Sequence, residues 1–442
     1  MSRRTLISTA LLAFMAMAMF SFGAGAAGPT KVVFWYSVGG KVAETTRELV
    51  DRFNTTHSSI QVEAIYQGSY DDAINKLKAS IAGKSTPNVM QSYEIGSRFM
   101  IDSKVIVPLQ KYIDRDKIDV STFERNILAY YEINDQLYSM PFNVSTPLLY
   151  FNKDMFREAG LDLNKPPLTF DEVVVAARKL TKRDSAGKVT RPGMALAVYG
   201  WFFEQFLAAS NLTYANNGNG RDATATAVSF AVPEAAAILD WWNGMVKEGI
   251  TANLGRKTAD TQKAFIAGQC AMTIDSTAVL ATILAGVNNQ FEVGVGYLPR
   301  PAGAKGGVMI GGGTLWLLSN HAKEEEEAAW EFIKWMTEPE QQAYWHMNTG
   351  YFPITKKAYD VPELKAHQAK YPQFATAVKQ LRDTPVTRAT QGALLGVFTQ
   401  ARTTVEDAIE QVLTGKSSSL DALKKAAATI DAAINRYNMT TK

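Results

Sequence analysis

The chain has 442 residues, too long for one ordinary core, so two or three domains are expected. It is 46% hydrophobic and 20% charged, with a formal charge of +3, the balance of a globular protein and not of a nucleic-acid binder. One cysteine, Cys270, excludes an intramolecular disulfide, and no segment after the N-terminus is apolar for long enough to span a bilayer.

In chain order, Arg3 and Arg4 precede an uncharged apolar run, 6–22, and the small-residue stretch "GAGAAG" follows. That three-part layout predicts a secretory signal peptide over 1–26, cleaved after Ala26 or Ala27, and hence a periplasmic protein. Removing Arg3 and Arg4 with it takes the formal charge from +3 to +1. The mature chain then alternates. "KVVFWYS" (31–37) reads as a buried strand, "VAETTRELVDRFN" (42–54) as an amphipathic helix and "SIQVEAIY" (59–66) as a second strand. "SYDDAINKLKASIAG" (69–83) reads as a helix capped by Ser69, and "NVMQSYE" (88–94) as a third strand. Strands alternating with helices at this spacing imply a parallel sheet, in which ligands bind beyond the carboxyl ends of the strands.

"YSMPFNVSTPLLYFNKDMF" (138–156) is extended and interrupted by Pro141 and Pro147, which suits a chain leaving one domain for another. A helix over 166–182 opens with the capping box Thr169–Glu172, and further helices are expected over 233–249 and 260–268. "QCAMTIDSTAVLATILAG" (269–286) is a strand, an Asp275-Ser276 cap and a helix. Strands follow over 291–299 and, broken by three glycines, 308–319. Two helices divided by Pro339 lead to "NTGYFPIT" (348–355), where Gly350 and Pro353 set a turn that carries two aromatic residues. Two helices, about 395–413 and 418–437, close the chain.

Several chemistries have no support. "AGKST" (82–86) and "TGKSSS" (414–419) lack the first glycine of a phosphate-binding loop; Lys78 and Glu410 stand there. His57, His321, His346 and His367 are not at metal-ligand spacing, and no G-x-S-x-G elbow occurs, so neither a metal, a cofactor nor a catalytic residue is expected.

Two segments carry a family resemblance. "FIAGQCAMTIDS" and "TEPEQQAYWHMNTGYFPIT" resemble the F-x-x-G-x-x-A-M and G-Y-x-P segments of the maltose-binding-like extracellular solute-binding proteins, which serve ABC importers. "VFWYS", "YQGSYDDA", "QSYEIGS", "PFNVSTPLLYFNKD", "CAMTIDS", "IGGGTLW", "TGYFPITKKAYD" and "GVFTQARTTVEDAIEQVLTGK" are similar, in order and with matching gaps, to the branch that binds sn-glycerol-3-phosphate. The resemblance implies an α/β, two-lobe type II fold, each lobe a mixed, mainly parallel sheet flanked by helices. The N-terminal lobe would take 27–142 and 276–325, and the C-terminal lobe 147–272 and 330–442. Hinges would lie near 143–146, 273–275 and 326–329. It also implies a monomer that does no chemistry, closes on a phosphorylated glycerol and docks on an ABC permease heterodimer with its ATPase. No nucleic acid enters that reading.

The implied ligand contacts are Tyr70, Glu94, Ser145, Ser276, Gly312, Tyr351 and Arg402. Phe170 stands where the family carries Trp, so an aromatic wall is kept without the indole donor. The residue types suit a phosphate ester. Ser276 precedes a helix, Gly312 lets a backbone N–H approach closely, and Arg402 offers a planar cationic fork. Ser145 and Tyr351 add hydroxyl donors. Glu94, which would repel a phosphate, suits the glycerol hydroxyls, between Tyr70 and Phe170 as walls. Two alternatives remain, a neutral oligosaccharide ligand and an exported phosphoester hydrolase.

Overall fold

The computed structural model describes residues 28–441, so the expected signal peptide lies outside the described residues. Among the described residues no helix is long and apolar enough to cross a membrane.

Ten strands form the two main sheets: β1 (Thr30–Tyr36), β2 (Ile60–Tyr66), β3 (Val89–Tyr93), β4 (Met140–Ser145), β5 (Pro147–Asn152), β6 (Met194–Ala195), β7 (Thr251–Ala252), β8 (Met272–Ser276), β9 (Val293–Gly296) and β10 (Gly311–Leu317). The first sheet has the order β2-β1-β3-β10-β4 and the second β7-β6-β8-β5-β9. β1 pairs in parallel with β2 and β3, and β10 runs antiparallel to both β3 and β4. The second sheet repeats this plan: β6 pairs in parallel with β7 and β8, while β5 runs antiparallel to β8 and β9. In each sheet the odd strand is the first laid down after the chain arrives from the other sheet. The architecture is thus two-lobed, mixed α/β, as expected.

The two helices with expected capping residues form where the patterns place them. The helix Tyr70–Ala82 starts at Ser69, whose hydroxyl accepts from the Asp72 N–H while the Asp72 carboxylate accepts from Ser69. Thr169 and Glu172 make the same box for Phe170–Leu180.

Three expected boundaries are corrected. Residues 293–296, assigned by sequence to the first lobe, form β9 and cover the free edge of β5, a strand buried along its whole length. The expected hinge at 326–329 lies inside the unbroken helix Lys323–Met336. That helix and Pro339–Thr349 pack on the first lobe, although both were expected in the second. The reason is apolar: Phe332 meets Phe34 and Phe53 edge-on at centroid distances of 5.3 and 5.1 Å, and Trp345 lies 4.7 Å from Phe142. The closing helices Phe398–Leu413 and Ser419–Thr440 do pack in the second lobe, against Pro233–Lys247.

The chain passes from the first sheet to the second at a single residue, Thr146, between β4 and β5. There Thr277, just past the end of β8, donates its N–H to the Thr146 carbonyl at 2.8 Å, and its hydroxyl accepts from the Thr146 N–H at 3.3 Å. Gly350 closes on the same point. Its φ of +111° admits glycine, and a Cβ there would lie 2.1 Å from the Thr277 carbonyl oxygen.

Candidate functional site

A cavity of about 520 Å³ opens between the lobes, beyond the carboxyl ends of β3 and β8, as the rule for open α/β sheets requires. It is lined by Tyr70, Glu94, Ser145, Ser276, Gly312, Tyr351 and Arg402, so seven of the eight residues singled out by sequence meet there from segments spread along the chain.

The first-lobe wall is a set of interlocked polar groups. Asn143 donates to the Tyr70 hydroxyl at 2.6 Å and accepts from Gln91 at 2.9 Å, and Tyr70 stacks on Tyr93 at 5.1 Å. Gly312 sits in β10 at φ +97°, beside a bulge between Gly313 and Thr314. A Cβ on Gly312 would stand 1.9 Å from the Asn143 carbonyl oxygen and 3.2 Å from Tyr351, so only glycine lets β10, β4 and Tyr351 come together. Tyr351 faces the cavity with its ring stacked on Trp345 at 5.6 Å, and burial raises its pKa. Phe352 is wholly buried, and its N–H donates to the Val144 carbonyl at 2.7 Å, which fixes the turn against β4. The two aromatics of "NTGYFPIT" therefore divide, one to the cavity and one to the core.

Two helix amino ends form the second-lobe wall. Lys257, Thr258 and Ala259 open the helix Thr258–Ile266, which has no side-chain cap. Ser276 caps the short turn Thr277–Val279 that leads into the helix Leu280–Val287, its hydroxyl accepting from Ala278 N–H at 3.1 Å. Free N–H groups and positive dipole ends thus point at the same space. Asp275, beside Ser276, is buried, and burial pushes its carboxyl up to about 7 despite hydrogen bonds from Gln262 at 2.9 Å and from Ser276 N–H.

Arg402 is placed differently from the expectation of a free cation set apart from Glu94. It sits 2.9 Å from Glu94 and is held on its other side by Glu204, with Nε and Nη2 donating to the two Glu204 oxygens at 2.7 and 2.8 Å. All three side chains are at least nine-tenths buried. Burial works against the Arg402 charge, yet the flanking carboxylates and Tyr199 hold its pKa above the ordinary value, while burial raises Glu204. The pairing has a physical cause: a carboxylate buried on the apolar helix Gly200–Ala209 needs a cation, and Arg402 on Phe398–Leu413 packs beside it. Because Glu94 belongs to the first lobe, the Arg402–Glu94 contact also crosses the cleft.

Phe170 is the expectation that fails. It lies outside the cavity, stacked on Trp241 at 4.0 Å and edge-on to Phe206 at 5.5 Å, as the first residue of its helix in the second-lobe core. The aromatic wall comes instead from Tyr199 and Trp201. Trp201 is buried, and its indole N–H has no partner among the described residues. Sequence reasoning passed over both, and over Glu204. The available signal was "GWFFEQFLAAS", an apolar helix carrying a charge that had to be answered.

The comparisons agree with this architecture. Residues 48–376 match the family model described as bacterial extracellular solute-binding protein. The chain is 35% identical to the sn-glycerol-3-phosphate-binding periplasmic protein UgpB of Pectobacterium atrosepticum, with 100% of this chain and 99% of that one covered. It is 34% identical to the protein of that name from Escherichia coli K12, covering 93% and 94%. Among solved structures, UgpB from Mycobacterium tuberculosis in complex with glycerophosphocholine superposes with a TM-score of 0.78 at 22% identity, over 93% of this chain and 100% of that one. Maltose-bound T. maritima MalE3 does so with 0.75 at 21%, over 91% and 100%. With the two-lobe fold, the cavity between the lobes and full-length relatives at this identity, the chain belongs to the bacterial extracellular solute-binding proteins.

Proposed function

We propose that the chain is the periplasmic receptor of an ABC importer that captures sn-glycerol-3-phosphate, and glycerophosphodiesters such as glycerophosphocholine. In this reading a leader is removed on export. The lobes then close on the ligand as a monomer, and the closed form hands it, unaltered, to a permease heterodimer driven by its ATPase.

One observation carries the proposal: the seven residues implied by the resemblance converge on one cavity in a chain that matches the UgpB proteins from end to end. The chemistry is consistent. The phosphate belongs at the second-lobe wall, where Lys257, the Ser276 hydroxyl and two helix amino ends favour an anion. The glycerol hydroxyls belong at Glu94 and Tyr70, with Trp201 and Tyr199 as apolar and donor surface. The Ser145 hydroxyl, on a buried residue of the cavity wall, is available to either end. A few charge-assisted bonds of roughly 1.5–3 kcal/mol each supply the approximately 8 kcal/mol of a micromolar complex, with some margin for closure.

Calorimetry on the mature protein tests this. Saturable one-to-one heat with glycerol-3-phosphate or glycerophosphocholine, reduced in Trp201→Ala, supports it. A second reading, a neutral oligosaccharide, has one observation in its favour: Arg402 is already answered by two carboxylates. Binding of maltose with no response to any phosphorylated glycerol would install that reading in place of the first.

A further inference from the structure

We infer that Glu204, acting through Arg402, is a specificity-determining residue that sets the ligand charge the cleft accepts, favouring a phosphodiester monoanion over a phosphomonoester dianion. The inference rests on a phosphorylated glycerol being the ligand.

A guanidinium carries five N–H donors. Glu204 takes one from Nε and one from Nη2, and Glu94 takes the other from Nη2. Only Nη1 is left, without a partner among the described residues. One positive charge therefore faces two carboxylates, and water screens the three only weakly, because they are buried. The only other arginine on the wall, Arg256, makes ion pairs with Glu406 at 3.5 Å, Asp407 at 2.6 Å and Glu410 at 2.7 Å. Glu406 also accepts the Gly200 N–H at 2.9 Å, immediately behind Arg402. Two arginines are thus set against five acids. Lys257, exposed at the mouth, is the one cation on the wall without a carboxylate partner among the described residues.

Such a wall attracts one negative charge at the helix amino ends and opposes a second. Glu204 is the acid that makes the difference. Glu94 faces the ligand, and Glu406, Asp407 and Glu410 pair with Arg256, whereas Glu204 holds Arg402 through two hydrogen bonds and is not among the residues that line the cavity. It changes what Arg402 offers without contacting the ligand. Replaced by glutamine, it keeps one acceptor for the guanidinium and removes one charge.

The test compares sn-glycerol-3-phosphate with its methyl phosphodiester, two ligands alike but for one charge, by calorimetry at pH 8. That is about two units above the second phosphate pKa of roughly 6, so the monoester is a dianion. Wild type is expected to bind the diester at least as tightly as the monoester. Glu204→Gln is expected to move the ratio of the two dissociation constants toward the monoester by about tenfold, the effect of one charge across a cleft at the effective dielectric of a protein surface. A purely structural role would weaken both ligands alike and leave the ratio where it was, which refutes the inference. So does a wild-type preference for the dianion of tenfold or more, a result that needs no variant to fold. If wild type binds neither ligand, the proposed function falls and this inference with it.

Discussion

Arg402→Leu isolates the energetics of the buried triad. The substitution removes three charge-assisted hydrogen bonds of 2.7, 2.8 and 2.9 Å and leaves Glu94 and Glu204 buried without their cation. Removing one partner of a buried ion pair costs about 3–5 kcal/mol, because the remaining charge keeps its desolvation penalty. At roughly 2–4 °C per kcal/mol, the melting midpoint should fall by on the order of 10 °C at pH 8. The deficit should also depend on pH, with a sign that can be worked out. Glu204 already has a raised pKa from burial, and Arg402 is what holds it down. Without Arg402 the folded-state pKa rises further above the unfolded value of about 4.3, so the protonated form is the stable one. A raised folded pKa gives stability that is present at low pH and lost as pH rises through it. The deficit should therefore shrink toward pH 5 and be largest at pH 8. Thermal melts of both proteins at the two pH values decide this. A deficit below about 1 kcal/mol, or one equal at pH 5 and 8, would refute the picture of uncompensated buried charge.

Further outcomes are expected. Gly312→Ala should cost about 2–6 kcal/mol, from a disallowed φ and from overpacking against the Asn143 carbonyl, and should abolish ligand heat; a urea midpoint equal to wild type would contradict this. Tyr351→Phe should weaken phosphorylated-glycerol binding about three- to tenfold with an unchanged melting point. Phe352→Ala should instead lose about 3–5 kcal/mol of stability while the folded fraction binds normally, and equal effects on binding would show that the turn does not divide the two rings. Asp275, pushed up to about 7, should cost native stability as pH rises from about 4 to 7, so wild type should lose up to a few kcal/mol relative to Asp275→Asn over that range. Parallel denaturant curves for the two proteins across it would exclude such a shift.

The first lobe was legible because its strands alternate over seven residues and its helices announce their caps, as at Ser69. The second sheet was harder. β6 and β7 are two residues long, too short for any periodicity to register. The placement of 293–296 depended on which sheet had a free edge, and sequence proximity to 311–317 pointed the wrong way. Tyr70, Ser145, Ser276, Gly312 and Tyr351 came together because short ordered motifs fix backbone positions. Phe170 was misplaced because its wall position was carried over from a Trp of the resembled family, while Trp201 looked like one more core residue in an apolar run. The link between Glu204 and Arg402 spans 198 residues and leaves no local trace, so the expectation for Arg402 did not include the carboxylates that hold it.

The reciprocal pair at Thr146 and Thr277 bears on how the lobes move. A chain crossing tied by two hydrogen bonds to the residue just past β8 resists sliding, since displacement of one segment along the other breaks both bonds at once. Gln380 adds to the restraint by donating to the Thr146 hydroxyl at 3.3 Å and to the Pro147 carbonyl at 2.7 Å. On the proposed closure, rotation about the line through these residues is the softest direction left, which would make this point a pivot. Ser276 and Tyr351, each next to a residue of this contact, would then keep nearly constant spacing, whereas the Arg402–Glu94 pair, which crosses the cleft, would part and meet as the lobes move. Capture would accordingly begin at the pivot and be completed at that pair.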